Sequence, residues 1–561
     1  MGNRFVADAN DGMVYDSIPS LAYFYAMFSA QHIPYSQTQA FSKIITAYLD
    51  SEDNLRNFYS QPPSLEGIKA KIEERKSFTT ARSVLVAVLK QQYEGLQIST
   101  TVQKNIEALS SPDTFTICTA HQPNLFTGPL YFVYKILHVI KLTAYLKEEL
   151  PQYNFVPVYY MGSEDADFAE LNHTYVDGKK IEWKKEQGGA VGRMIVDKTL
   201  VQLIDELEGQ LIVQEHGGEV IDLLRESYKV GRTIQAATFE LLNELYGTYG
   251  LLVLIPDNPL FKVQMKRIFE DDLFGNVASK IVLATSDRLS EHYNTQAHPR
   301  EINLFYLKGD ARERIEKREE RFFILNTSLS FTEEEIKKEL EEHPERFSPN
   351  VILRGIYQET ILPNLSFVGG GGELAYWLQL KDLFAHYGVP YPVLVLRNSF
   401  LLVEGKWKNK IERLGLKATD FFQSENELMK QIVEKNAIYP VLLNGNFEKA
   451  SRLFEEIKIQ ALQVDPTLSR HVYAIQAKSL KALRELEKKM LRAEKRKYTD
   501  QQRQIQSIRA VLFPNNNLQE RVENFSNFYS KWGRSFIEEL YENSLGLEQE
   551  FIVLSASTRG Y

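Results

Sequence analysis

Apolar residues change their spacing along the chain, and each change marks a different kind of element. Over residues 17–110 they recur at helical intervals in SIPSLAYFYAMF, TQAFSKIITAYL and TARSVLVAVLKQQYEGL, which predicts a helical N-terminal region. At 115–118 the pattern becomes a short solid apolar run, as in a buried strand, and an amphipathic stretch follows to residue 148. A second solid run occupies 155–161. Two strands flanking one helix imply a right-handed crossover and the start of an α/β sheet. LLVLIPDN (251–258) reads as a third buried strand, and 365–397 supply a further strand-turn-helix-strand unit.

Between these units the character differs. Residues 175–245 are charged and punctuated by glycine (KKEQGGAVGRM), and 299–350 are dense in charge. Both read as insertions into a discontinuous core. The expected division is core at 1–174 with the helical N-terminal region, insertion at 175–245, core at 246–298, insertion at 299–350, and core at 351–420. A helical coiled-coil region at 421–515 and a C-terminal segment at 516–561, packing back on the core, complete it.

In the helical last third, Asp465-Pro466 predicts an N-cap with Pro at the first helical position. Val472, Ile475, Ser479, Leu483, Leu486, Met490 and Ala493 then form a narrow seam near heptad spacing, crowded by Lys and Arg, which suits a coiled coil. TDQQ (499–502) reads as a capping box that restarts a helix after a break near Lys497. The seam pairs with another helix of this chain or with a second chain. A homodimer through the coiled coil is the expectation, because a projecting stripe must be buried somewhere.

Composition narrows the class. A chain of 561 residues suggests about two to four domains. With 43% hydrophobic and 25% charged residues it is neither disordered nor fibrous. Net charge of −8 argues against a general nucleic-acid binder, but small anions need only a local cluster of Arg and Lys. The single cysteine, Cys118, excludes an intramolecular disulfide framework and reads as a buried, inert thiol. MGNRFVADANDG has no apolar signal core, and no stretch reaches the ~20 apolar residues of a membrane span. No membrane partner and a cytoplasmic location are expected.

The P-loop, zinc-hydrolase and serine-hydrolase strings are absent. Three polar turns stand out instead, each after an inferred strand, where open α/β sheets bind ligands. The first is HQPNLFTGP, with His121, Gln122, Asn124, Thr127 and Gly128, and Lys135 two turns into the next helix. It offers donors to a phosphate or carboxylate. Its plainer reading is a Pro-Asn turn with Thr127 as N-cap and Pro129 at the first helical position. The second is MGSEDADFAELNH, where Glu164, Asp165 and Asp167 could hold an ammonium, bind Mg²⁺ through water, act as a base, or simply favour a helix dipole. The third is FVGGGGELAYW, with Gly369, Gly370, Gly371 and Gly372 opening a helix. Glu373 there caps the helix or bonds a sugar hydroxyl, and Lys381 and Arg397 are candidate anion partners. HPREINLFY (298–306) and LFPNNNLQERVENF (512–525) read equally as packed loops or binding segments. His32, His138, His216, His292, His343, His386 and His471 show no metal-ligand spacing and read as structural or surface residues.

HQPNLFTGPLYFVYK, GSEDADFAELNH, PREINLFY, GGGGELAYWLQL and FPNNNLQER, in this order, resemble the bacillithiol biosynthesis family BshC, cysteine-adding enzymes. The resemblance runs from about residue 110 to 530. It implies a Rossmann-like parallel-sheet core with two inserted connecting-peptide segments and a C-terminal coiled coil that mediates dimerisation. It also implies the last step of bacillithiol synthesis, amide formation between the L-cysteine carboxylate and the amine of glucosaminyl-malate. The core resembles that of class I aminoacyl-tRNA synthetases, but HQPN stands where they carry HIGH, and no KMSKS-like string occurs.

A carboxylate needs activation to condense with an amine. ATP or ADP is therefore the expected nucleotide, with Mg²⁺ beside it, through a cysteinyl adenylate or acyl phosphate. His121, Gln122, Asn124 and Gly128 with residues 369–372 would form one ligand cradle. Glu164, Asp165 and Asp167 would face the amine, with Asp165 or Asp167 orienting or deprotonating it. Arg397 and Lys381 would meet phosphate or malate. Phe513, Asn517 and Arg521 are a second candidate nucleotide pocket. The alternatives are a transferase using a pre-activated donor without ATP, or a non-enzymatic nucleotide-binding scaffold.

Overall fold

Solid apolar runs make strands that are buried on both faces, and five of them form the central sheet. In the computed structural model, which describes residues 27–185, 188–437 and 442–557, these are Thr114–His121 (β1), Asn154–Met161 (β2), Leu252–Leu254 (β3), Asn364–Gly369 (β4) and Val393–Leu396 (β5). Their order is β5-β4-β1-β2-β3, and every pair is parallel. Helix Tyr131–Glu149 (α1) makes the crossover from β1 to β2 and buries Val133, Ile136, Leu137 and Ile140. The predicted α/β core is therefore a Rossmann-like parallel sheet.

Between β2 and β3 lie the hairpin His173–Val176 with Lys179–Glu182 and the helices Lys198–Leu211, Gly217–Ser227 and Ile234–Tyr246. Between β3 and β4 a five-stranded antiparallel sheet spans Leu304–Lys308 to Phe347–Pro349. Helix Val351–Ile361 (α2) then leads back to β4, and Gly371–Trp377 (α3) follows it.

The helical expectation for 17–110 holds at Lys43–Leu49, Leu65–Lys76, Arg82–Gln92 and Thr100–Ala108. It fails at its start: Phe28–Pro34 is a strand, antiparallel to Glu550–Ala556, which in turn pairs in parallel with Ser399–Val403. The pairing is fixed by the far end of the chain, which local periodicity does not register. Most of SIPSLAYFYAMF lies outside the described residues.

Helices Asn444–Val464 (α4) and Leu468–Lys495 (α5) fold as a hairpin around the turn at Asp465, whose carboxylate accepts from the Thr467 N–H at 2.8 Å. The Leu443 N–H donates to Glu487 at 2.7 Å, which ties the start of α4 to α5, while Ile475 and Leu486 of the seam stay exposed. The break comes at 496–498, and a helix restarts at Thr499–Leu512. No capping box forms there, because the Thr499 hydroxyl donates back to the Arg496 carbonyl. Among the described residues no helix is long and apolar enough to cross a membrane.

Candidate functional site

The chain enters the sheet at its middle strand, β1, moves outward through β2 and β3, then returns to lay β4 on the other side of β1. The strand order thus reverses between β1 and β4, and the crevice beyond their carboxyl ends is where such sheets take ligands. A cavity of about 930 Å³ opens there, and all three polar turns reach it.

His121 ends β1 and is partly exposed to the cavity. Its Nε2 lies 3.3 Å from the Tyr131 hydroxyl. Burial, reinforced by Lys135, Arg397 and Arg354, holds its pKa well below the usual imidazole value, so the ring is neutral at pH 7. Gln122 donates to Asp165 at 3.0 Å, and Asn124 lines the cavity with a buried carbonyl oxygen that has no partner. Thr127 and Gly128 do not line it. Both have positive φ, 71° and 68°, in a loop pinned by the Asn524 amide, which donates to the carbonyls of Phe126 (2.8 Å) and Gly128 (2.6 Å). The expected Thr127 cap is wrong: α1 begins at Tyr131 with Leu130 at its N-cap, and the Thr127 hydroxyl is buried without a partner.

The acidic turn after β2 separates its three carboxylates. Glu164 is buried and paired with Lys262 at 2.6 Å, and it also accepts from the Ser348 hydroxyl at 3.1 Å. Glu164 lines the cavity as expected, but its charge is already met by Lys262. Asp167 is exposed and caps the short helix Phe168–Leu171, accepting from the Glu170 N–H at 3.3 Å. That is its plainer reading, and it corrects the binding role. Asp165 lines the cavity, half-buried and in no ion pair among the described residues, with Arg312 near enough to act on it electrostatically. Ser163 beside it is fully buried with an unpartnered hydroxyl.

In the glycine turn, none of the four residues has positive φ. A side chain on Gly369 would strike Phe367 and Leu374 at 2.7 and 2.8 Å, so packing demands that glycine, whereas Gly372 faces open space. Gly370, Gly371 and Gly372 line the cavity. Glu373 accepts from the Gly370 N–H at 2.8 Å and pairs with buried Lys135, which also donates to the Ala120 carbonyl at 3.1 Å. Lys381 does not join them: it points outward and donates to the Asn57 carbonyl at 2.9 Å. Helix Lys381–Tyr387 starts beyond the cavity rim, so its nearness in sequence to the glycines misleads.

Arg397 follows β5, lines the cavity and is 3% exposed. It pairs with fully buried Glu520 at 2.6 Å and stacks over Tyr131 at 5.3 Å. Three consecutive residues of the C-terminal stretch thus have three tasks. Gln519 bonds both backbone groups of Leu402 (3.0 and 3.2 Å), Glu520 holds Arg397, and Arg521 lines the cavity. Of the proposed pocket of Phe513, Asn517 and Arg521, only Arg521 lines this cavity. Phe513 packs edge-on against Phe422 at 5.2 Å and Asn517 is exposed elsewhere. Three further residues of the site region escaped the sequence reading: Arg354 on α2, Arg312 on the inserted sheet, and Lys262. The polar Arg354, Gln358 and Glu359 within VILRGIYQETI, on a helix that is otherwise largely buried, are the available signal for the first. From HPREINLFY, His298 lines the cavity, while Asn303 is tied to buried Asp272 and to Asn350 on the cavity wall. His138 is structural as expected, buried with both ring nitrogens bonded, to the Gly546 carbonyl (2.7 Å) and the Asn398 N–H (3.0 Å).

Two domain families match the chain. One is described as bacillithiol biosynthesis BshC, N-terminal Rossmann-like domain, over residues 28–398, and the other as bacillithiol biosynthesis BshC, C-terminal coiled-coil domain, over 400–556. Relatives named "Putative cysteine ligase BshC" include one from Flavobacterium johnsoniae, 40% identical over 93% of this chain and 99% of its own. Another, from Christiangramia forsetii, is 40% identical over 93% and 98%. A third, from Cytophaga hutchinsonii, is 38% identical over 92% and 97%. The chain belongs to the bacillithiol biosynthesis BshC family, with both its Rossmann-like and its coiled-coil domain.

Proposed function

We propose that the chain is the ligase of the last step of bacillithiol synthesis, joining the carboxylate of L-cysteine to the amine of glucosaminyl-malate. The observation that carries this reading is the mixed charge of the cavity at the switch point, which Arg354, Arg397 and Arg521 line together with Asp165 of the turn after β2. Such a cavity suits one substrate that bears both carboxylates and an amine. The amine attacks as the free base, so Asp165, oriented by Gln122, takes or directs its proton, and the neutral His121 ring is a second acceptor. ATP supplies the activation that a free carboxylate lacks. The backbone at Gly370–Gly372, which lines the cavity, and the guanidinium groups of Arg354 and Arg521, which form no ion pair among the described residues, fit its phosphates, with Mg²⁺ carried on them.

Two measurements test this. A deletion strain should accumulate glucosaminyl-malate and contain no bacillithiol by mass spectrometry of its small thiols. The purified His121→Ala, Asp165→Asn double variant should keep its fold by circular dichroism and lose at least ~10²-fold in ATP-dependent product formation. A normal rate would sink the residue assignment, and product formed equally without ATP would favour a transferase.

The same reading makes the chain a homodimer. Leu453, Ile457, Leu462, Leu468, Ile475 and Leu486 remain 37–54% exposed on the α4–α5 hairpin, a stripe that a second copy would cover. Light scattering should give twice the 64.7 kDa chain mass, and Ile475→Glu with Leu486→Glu should return it to the monomer. A parent that is monomeric at micromolar concentration rejects the dimer.

A further inference from the structure

The cationic groups around the cavity differ in what they already hold. Lys135 is paired with Glu373, and Arg397 with Glu520. Arg312 is pinned to the Ser348 hydroxyl (3.0 Å) and the Pro349 carbonyl (3.3 Å) and stacks on Phe305 at 3.9 Å. Arg521 lines the cavity from an exposed position, with no ion pair among the described residues, and Arg354 differs from it in being half-buried and held in place. One terminal nitrogen donates to the Gln358 carbonyl oxygen at 3.2 Å and the other to the Tyr376 hydroxyl, both neutral groups. Its guanidinium lies against the rings of Tyr160 (5.9 Å) and Phe367 (5.8 Å). Among the described residues no carboxylate pairs with it. It is a half-buried, aromatic-lined, full positive charge whose plane is fixed before any ligand arrives.

Burial costs this charge desolvation free energy, which Tyr376, Tyr160 and the Glu373 carboxylate offset without any carboxylate forming an ion pair with the fork. A fixed guanidinium fork also matches the two oxygens of a carboxylate or phosphate in a way that a flexible ammonium does not. We infer that Arg354 is the anion-recognising residue of the cavity, taking a carboxylate or phosphate of a substrate, with Tyr376 and Gln358 holding its plane. Arg397, its charge already met by Glu520, serves as wall and not as anchor. This rests on the ligase reading for its ligands, which are the malyl carboxylates of glucosaminyl-malate and the phosphates of a nucleotide.

Calorimetric titration of the full chain with glucosaminyl-malate and, separately, with ADP tests it. Arg354→Met should weaken one of the two by at least ~10-fold, the loss of a charge-assisted bond, with an unchanged melting temperature. Arg354→Lys should recover little of the loss, because it restores charge without the fork. A loss confined to glucosaminyl-malate identifies the malyl carboxylates, and one confined to ADP identifies the phosphates. Parent-like affinity of Arg354→Met for every anion that the parent binds overturns the inference. So does a loss that Arg354→Lys fully restores, which would reduce the fork to a point charge. A parent that binds ADP but not glucosaminyl-malate defeats the ligase reading and leaves Arg354 decided on ADP. A parent that binds neither defeats both.

Discussion

Glu520→Ala is expected to cost the fold about 3–5 kcal/mol, the usual result of removing one partner from a buried ion pair. Glu520 is fully buried and Arg397 is 3% exposed, with 2.6 Å between them. The Ser399 hydroxyl donates to the same carboxylate oxygen at 3.3 Å, and Arg397 itself donates to that hydroxyl at 3.0 Å. The loss would leave a guanidinium beside Tyr131 with no counter-charge, and it would release the strand-end turn whose carbonyl is held by the Tyr35 hydroxyl at 3.0 Å. Glu520→Gln should cost less, because the amide oxygen still accepts. The Glu520→Met, Arg397→Met double variant should be more stable than Glu520→Ala alone, since apolar replacement of both partners is often neutral. Urea unfolding of the four proteins decides it. A cost for Glu520→Ala below about 1 kcal/mol would mean that cavity water replaces the carboxylate, and the pair would not be what fixes Arg397.

How much of this was legible in the sequence depends on how far away each partner lies. The core strands β1 to β5 were readable because solid apolar runs bounded by turns need no distant information. The three turns were readable for the same reason, and the fold brings all of them to one cavity. Within the turns, local reading could not rank residues. Glu164 and Asp165 are neighbours with the same side-chain chemistry, yet one is neutralised by Lys262, which arrives from beyond β3. Lys381 looked like a site residue because it follows the glycines, but its helix starts beyond the rim. Phe28 looked helical because its strand partner, Ala556, is at the other end of the chain. Arg354 is a weak signal in VILRGIYQETI, because it shares the helix with Gln358 and Glu359, and only the packing of Tyr376, Tyr160 and Phe367 around it ranks it above them.

The second large effect follows from the same contrast between adjacent carboxylates. Lys262 is fully buried, donating to Glu164 at 2.6 Å and to the Phe347 carbonyl at 2.8 Å, with the Tyr357 ring 5.3 Å away. Burial pushes its pKa down and the Glu164 carboxylate pushes it back up. Glu164 in turn accepts from Ser348 on the inserted sheet. One ion pair thus joins the turn after β2, the helix after β3 and the last strand of the insertion, at the wall of the cavity. Lys262→Met should therefore cost about 3–5 kcal/mol and loosen all three segments together, by leaving Glu164 charged and unpaired. Adding Glu164→Gln to it should recover part of that loss, and the difference in a double-mutant cycle measures the pair. Asp165→Asn should do the opposite: stability within about 1 kcal/mol of the parent, with the activity loss that its proposed place beside the reacting amine implies. Thermal unfolding and turnover measured on the same three proteins separate the two roles. If Lys262→Met unfolds like the parent while Asp165→Asn unfolds early, the assignment of structure to Glu164 and chemistry to Asp165 is reversed.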